Sequence, residues 1–176
     1  GSVMTVSAAD PSVTLPYSTI TISKGKTVSL KAKVSGVSKY TLVWTSSDKS
    51  IVSVTDEGKI TGVKKGSADV TVAIKNTDAS AKVKVTVGTP VTGVTVSEKS
   101  ISVKAGSTYK ISAKVFPSNA SNKSLICSSS DKKVATVSKD GVIKGIKSGS
   151  TTITVKAADG SGKKATVTVK VTAGNK

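Results

Sequence analysis

One pattern of residues occurs twice in this chain, with the copies offset by about 80 positions, as in proteins built from repeated modules. Three segments of the first half recur in the same order in the second half: residues 20–27 with 101–108, 46–49 with 129–132, and 58–67 with 141–150. Because the repeat runs through most of the sequence, we expect two small units of one fold and not a single large core.

The repeat predicts where the 176-residue chain divides. We expect a lead-in at 1–9, a first domain at 10–88, a linker at 89–93, a second domain at 94–173 and a tail at 174–176. The linker is short and contains Pro90, so it should limit the swing between domains. Gly1 and Ser2 resemble a cloning remnant, so the natural N-terminus and any export signal are expected upstream.

Apolar and polar residues alternate within each copy, as the strands of a half-buried sheet require. The alternating apolar positions are Val28, Leu30, Ala32 and Val34 in the first copy, and Tyr109, Ile111, Ala113 and Val115 in the second. Turn sequences ending in Gly58 and Gly141 separate short β-branched runs. With about seven short strands per copy, the pattern predicts an all-β chain of two tandem immunoglobulin-like antiparallel β-sandwiches.

The formal net charge of +17 comes from 27 basic residues, all of them lysine, against ten acidic ones. Lysine lacks the bidentate fork with which arginine recognises bases and phosphates, and aromatic residues make up only 3% of the chain. Sequence-specific nucleic-acid binding is therefore not expected. Two readings stay open: diffuse attraction to an anionic cell-wall polymer, glycan or host matrix protein, or a solvated lysine-rich surface.

The residues that usually carry chemistry are scarce. The chain has no histidine and one cysteine, Cys127, so we expect no disulfide, no Cys/His zinc site and no hydrolytic triad. Asp48 and Asp131 recur after paired serines, which fits either calcium binding or, as we favour, a turn. No catalytic, metal-binding or cofactor-binding residue is predicted, and without an apolar run of about 20 residues we expect no membrane insertion.

Several motifs resemble those of the bacterial immunoglobulin-like domain, group 2. They are a Trp-x-Ser-Ser-Asp stretch, a short Val-rich strand, a glycine-framed turn-strand-turn and an Ile-Thr-Val strand, found here at 44–48, 51–54, 58–66 and 70–72, and again at 127–131, 134–137, 141–149 and 153–155. The departure is Cys127 at the tryptophan position. The resemblance implies an extracellular module of a bacterial surface protein, adhesin, cell-wall enzyme or phage tail.

Trp44 and Cys127 occupy the same repeat position, two residues after a leucine that faces the core. We expect Trp44 to be a core residue and not a sugar-stacking platform. Its counterpart Cys127 is expected to be a buried, unreactive thiol in a smaller second core.

The loops before the third strand differ between the copies, and acquired binding is expected where they differ. The candidate ligand-binding residues are Lys39, Tyr40, Phe116, Asn119 and Lys123. Taken together, the sequence predicts a monomeric, non-catalytic structural or adhesive segment of a larger bacterial surface or secreted protein, located at the cell surface or outside the cell. The alternatives are a ligand-binding module for anionic glycans or matrix, and an accessory region of a secreted carbohydrate-active enzyme.

Overall fold

The structure is a computed structural model and describes residues 9–174. It divides into two compact units between Gly88 and Thr89, each built from nine short strands within the described residues. Of the predicted lead-in and tail, all but Ala9 and Gly174 lie outside the described residues.

The first module has seven short strands followed by two long ones. They are β1 (Ser12–Thr14), β2 (Thr19–Ile22), β3 (Thr27–Ser29), β4 (Lys33–Ser35), β5 (Leu42–Ser46), β6 (Val52–Val54), β7 (Lys59–Gly62), β8 (Gly66–Ile74) and β9 (Ser80–Val87).

The second module repeats this order. Its strands are β10 (Gly93–Val96), β11 (Ser100–Lys104), β12 (Thr108–Lys110), β13 (Ala113–Phe116), β14 (Leu125–Ser129), β15 (Ala135–Val137), β16 (Val142–Gly145), β17 (Gly149–Ala157) and β18 (Lys164–Thr172).

Each module is a sandwich with the same sheet topology. In the first, a four-stranded sheet β2-β9-β8-β5 accompanies a three-stranded sheet β3-β7-β6 and the pair β1-β4. In the second, the corresponding sheets are β11-β18-β17-β14, β12-β16-β15 and β10-β13. The prediction of two tandem immunoglobulin-like sandwiches is confirmed.

The structure departs from the prediction in two details of the strands. In the first module the N-terminal part of the chain forms two strands, because it crosses from the pair β1-β4 to the edge of the four-stranded sheet, and the alternating run from Val28 to Val34 is broken into β3 and β4. Nine short segments therefore replace about seven strands. The crossing also places β2 beside β9 in parallel, and β11 beside β18, so neither four-stranded sheet is wholly antiparallel.

The predicted alternation decides which side chains form the core. In β8 the residues Val70, Val72 and Ile74 are buried while their neighbours face outward. Val83, Val85 and Val87 do the same in β9, and Ile60 packs with them in one cluster. Burial of a Val or Ile side chain stabilises by about 1.5–3 kcal/mol relative to exposure, so these rows hold the sheets together.

The stretch predicted as a linker, 89–93, contributes to the second module. The Val91 side chain is 2% exposed, and its backbone N–H donates to Oδ2 of Asp159 over 2.7 Å. Asp159 is fully buried, and its other carboxylate oxygen accepts a bond from the Ser161 N–H. A buried carboxylate is costly unless it is hydrogen-bonded, and these two amides supply that stabilisation.

Candidate functional site

Trp44 fills the core of the first module. It lies in β5 opposite Val72 of β8, and its side chain is 9% exposed. A β-carbon on Gly58, which has a φ of +87°, would lie 2.6 Å from Cε2 and Cζ2 of the indole. The ring therefore lies directly against the backbone of the turn before β7, which only glycine permits. The predicted core position of Trp44 is confirmed.

Cys127 occupies the corresponding place in the second module, opposite Val155 of β17. Its side chain is half-buried, so the prediction of a buried thiol is wrong in degree: a cysteine is much smaller than an indole and leaves the position open. A β-carbon on Gly141 would meet only Cβ of Ile111, at 3.7 Å. Burial still raises the pKa of the Cys127 thiol, so the thiol stays protonated at neutral pH.

An open cavity of about 210 Å³ lies at the surface of the second module beside Cys127. Its apolar lining comes from β13, β14 and β17 and from the link between β12 and β13, and its polar lining from the turn before β16 and the loop before β14. The lining residues are Ile111, Ala113, Leu125, Cys127 and Val155, with Lys123, Lys139, Asp140 and Gly141.

The two cores differ accordingly. In the first module the buried residues, Trp44 among them, form one continuous cluster. In the second they form two clusters, one around Ile143 and Val169 and a smaller one around Val155. Cys127 lies at the side of the smaller cluster. The second core is thus smaller at the cysteine, as predicted, and its buried residues fall into two clusters.

The candidate loop residues of the first module lie on the surface. Lys39 and Tyr40 precede β5, and Tyr40 is 50% exposed. Together with Thr41, Lys75 and Asn76 they line a shallow polar groove. Nothing in this arrangement selects a ligand, so a binding role for Lys39 and Tyr40 stays a prediction.

The candidate residues of the second module separate into two groups. Phe116 ends β13 with a half-exposed ring and is followed by a cis peptide bond to Pro117, and Asn119 is exposed in the turn that follows. Lys123 donates from Nζ to the Ser118 carbonyl over 3.0 Å and lines the cavity beside Cys127. The structure therefore joins Lys123 to that cavity, while binding by Phe116 and Asn119 stays a prediction.

The repeated Ser-Ser-Asp segment is a structural turn in the first module. Ser46 Oγ donates to the Val52 carbonyl over 2.6 Å, and Ser47 Oγ accepts from the Asp69 N–H. Asp48 accepts from the hydroxyl and the N–H of Ser50, which holds the pKa of its carboxyl below the usual range.

The second module repeats these contacts. Ser129 Oγ donates to the Ala135 carbonyl over 2.7 Å, Ser130 Oγ accepts from the Thr152 N–H, and Asp131 accepts from the Lys133 N–H. Hydrogen bonding within the turn accounts for both aspartates. In residues 9–174, no group of three or more His, Cys, Asp or Glu side chains is arranged to hold a metal ion.

Lysines cover the surface of both modules. Every described lysine except Lys156 is exposed. Lys82 pairs with Asp69 over 3.9 Å, and both side chains are well exposed to solvent, so the pair contributes little to stability. Within the described part of the chain, no helix is long and apolar enough to cross a membrane.

Comparison with known proteins identifies the family that these modules match. The profile of the bacterial Ig-like domain (group 2) matches residues 10–87 and 90–169. A 3-O-alpha-D-galactosyl-alpha-L-arabinofuranosidase of Bifidobacterium longum subsp. longum is 39% identical over 87 residues, covering 46% of this chain and 8% of that protein. An Ig-like virion protein of Serratia phage KSP90 is 42% identical over 71 residues, covering 40% of this chain and 28% of that protein.

These matches concern the modules and not the whole relatives. The matched segments span well under a third of either relative, and the matched domain itself is a non-catalytic module. Among solved structures, domains 1–6 of the surface layer protein SbsC align over 97% of this chain and 29% of that chain, with 25% identity and a TM-score of 0.41.

Proposed function

The chain belongs to the bacterial Ig-like domain (group 2) family, and from this membership we propose that it is a non-catalytic spacer or attachment segment. It would serve a larger bacterial protein at the cell surface or outside the cell. Modules of this kind occur in larger proteins, among them a glycosidase and a virion protein, of which they form a small part. A spacer that carries load transmits it through the pairing of its terminal strands.

The parallel pairing of the first and last strands of each sheet supports this role. In the first module, the Lys84 N–H donates to the Ser18 carbonyl and the Gly88 N–H to the Ile22 carbonyl, both over 2.9 Å. These bonds bracket the parallel pair β2-β9. A force that pulls the ends of the module apart slides β2 along β9 and loads the hydrogen bonds between them together. An antiparallel hairpin pulled from its open end breaks its bonds one at a time.

The second module has the same arrangement. The Thr168 N–H donates to the Lys99 carbonyl, and the Ala105 N–H donates to the Thr172 carbonyl, again over 2.9 Å. They bracket the parallel pair β11-β18. This shared pairing supports the proposal that both modules resist force applied along the chain, the property that a load-bearing spacer uses.

Single-molecule force spectroscopy on the full chain tests the proposal. Pulled through its ends, the chain should unfold in two separate events, one for each module, because forced unfolding reports each module's own barrier. The matched control pulls the same chain between handles at positions 65 and 88, which open the β8-β9 hairpin from its end. That geometry should unfold the first module at clearly lower force. Equal forces in the two geometries would contradict a load-bearing role.

The exposed lysines favour a second candidate function, binding to an anionic polymer of the cell wall or matrix. The net charge of +17 attracts such polymers over roughly the Debye length, about 8 Å at physiological salt. Co-sedimentation of the chain with purified cell wall, repeated with a soluble acidic polysaccharide as competitor, tests this function. Binding that falls as salt rises supports it, and absence of binding at low salt excludes it.

The proposed location at the surface or outside the cell has its own test. The relative named as an arabinofuranosidase supports a place beside a carbohydrate-active domain in a larger protein. Antibodies against the two modules should label intact cells of the producing organism without permeabilisation. Labelling that appears only after permeabilisation would contradict an extracellular or surface location.

A further inference from the structure

The space beside Cys127 has a counterpart in the first module that is filled by an indole. Trp44 and Cys127 stand at the same position of the repeat, and each faces a valine on the neighbouring strand, Val72 or Val155. The Trp44 ring reaches the turn glycine Gly58. In the second module the turn glycine, Gly141, is retained, but the ring is replaced by a thiol. The second module therefore keeps the surroundings of the tryptophan position but has no aromatic side chain there.

The volume and lining of the cavity suit a flat apolar group. Its volume is about 210 Å³ and it opens to solvent; enclosed apolar cavities of about 150 Å³ in proteins take up benzene, so the space is large enough for one aromatic ring. Ile111, Leu125 and Val155 supply aliphatic walls. The Cys127 thiol adds a neutral, polarisable surface, since sulfur packs well against aromatic rings.

The polar residues of the cavity favour a negative charge on the ligand. Lys123 and Lys139 line it together with one carboxylate, that of Asp140. All three side chains are exposed, so they interact with a ligand group that remains near solvent. The first module has Asp56 and Glu57 in the turn where the second has Lys139 and Asp140, so the local charge differs between the copies as well.

We propose that the cavity beside Cys127 is a binding site for a small aromatic carboxylate with a ring about the size of indole. The ring enters between Ile111 and Val155 and occupies the space that Trp44 fills in the first module. The carboxylate stays at the mouth, near the ammonium groups of Lys123 and Lys139. This site is independent of the spacer role, which depends on the strands and not on the cavity.

Titration of the full, isotope-labelled chain with indole-3-carboxylate, followed by amide NMR spectra, tests the proposal. The backbone signals of Ala113, Gly141 and Val155 should shift together and saturate, with a Kd on the order of a millimolar or tighter for a ligand of this size. The signals of Trp44 and Gly58 in the first module should not move. Absence of saturable shifts at these three residues, or equal shifts in both modules, would overturn the proposal.

Filling the cavity provides the decisive control. Cys127→Trp places an indole in the space, and the shifts on adding indole-3-carboxylate should disappear while the spectrum stays dispersed. Cys127→Phe is a second filling variant, in case the larger ring disturbs folding. If a folded filling variant binds as tightly as the parent chain, the ligand is elsewhere and the proposal fails.

The charge preference is tested separately. The double variant Lys123→Gln, Lys139→Gln should weaken binding of indole-3-carboxylate roughly threefold, as expected for two exposed charge pairs, and leave binding of uncharged indole unchanged. Because Cys127 is the chain's single cysteine, bound ligand should also slow its alkylation by a neutral reagent. Alkylation at the same rate with and without saturating ligand would contradict binding at this place.

Discussion

The two modules share their topology, their turn hydrogen bonds and their glycine frame, yet their cores differ at one repeat position. In the first module Trp44 belongs to a single cluster of buried residues and lies against Gly58. In the second module the buried residues form two clusters, and an open cavity lies beside Cys127. The repeat thus preserves the residues that hold the sheets, while the filling of the core differs where tryptophan is exchanged for cysteine.

Trp44→Cys should have the largest effect on stability, because it gives the first module the residue that the second has at this position. Removing a buried indole should lower the free energy of unfolding of that module by about 3–5 kcal/mol. Urea titration of the full chain, followed by NMR signals of each module separately, measures the loss. The second module should unfold at its original midpoint. A loss below about 1 kcal/mol would mean that Trp44 does not organise the first core.

The variants Gly58→Ala and Gly141→Ala separate the cost of contact with the Trp44 ring from the cost of backbone strain. Gly58 and Gly141 have φ values of +87° and +81°, so strain of about 1–2 kcal/mol is common to both alanine variants. Gly58→Ala also drives a β-carbon into the Trp44 ring, which adds about 1–3 kcal/mol. The same urea titration should find Gly58→Ala the more costly variant. Equal costs would show that the indole does not press on this turn.

Cys127→Trp should make the second module resemble the first. Filling a cavity with apolar surface commonly stabilises by about 0.5–2 kcal/mol, and Gly141 leaves room for the ring. Thermal unfolding monitored by calorimetry measures the gain. Cys127→Ser, which removes apolar contact without filling the space, is the matched control and should not stabilise. Destabilisation by the tryptophan would contradict the equivalence of the two positions.

Removing the turn serine should have the smallest effect on stability, and the effect should be equal in the two modules. Ser46 and Ser129 donate to the carbonyls of Val52 and Ala135 over 2.6 and 2.7 Å. Ser46→Ala and Ser129→Ala each remove one part-buried hydrogen bond, worth about 1 kcal/mol. Chemical denaturation should give matching losses. A clear difference between the two would show that the Ser-Ser-Asp turn is not the same structural element in both copies.

The sequence predicts the repeated sandwich well because the relevant signals are local. Alternation places Val70, Val72 and Ile74 on one face without knowledge of their partners. The separation of β1 from β2 is harder to predict, because it depends on which sheet edge β2 joins. That edge is β9, more than 60 residues along the chain from β2, a separation for which pattern alone gives no rule.

The cavity beside Cys127 was only partly predictable from the sequence, because it also depends on contacts between residues far apart in the chain. The exchange of Trp44 for Cys127 is visible in the repeat and correctly predicts a smaller second core. Whether the neighbours collapse onto the cysteine or leave a cavity depends on packing that a sequence does not encode locally. The hydrogen bond between the Val91 N–H and the buried Asp159 gives no local signal in the sequence, because the two residues lie 68 positions apart.

A crystal structure of the full chain carrying Cys127→Trp tests the claim that the two modules are one scaffold whose second copy leaves an indole-sized space open. The new ring should lie against Gly141 and face Val155, as Trp44 lies against Gly58, with the strands β14 and β17 in their original register. A ring turned out to solvent, or a shift of β14 to accommodate it, would contradict the claim.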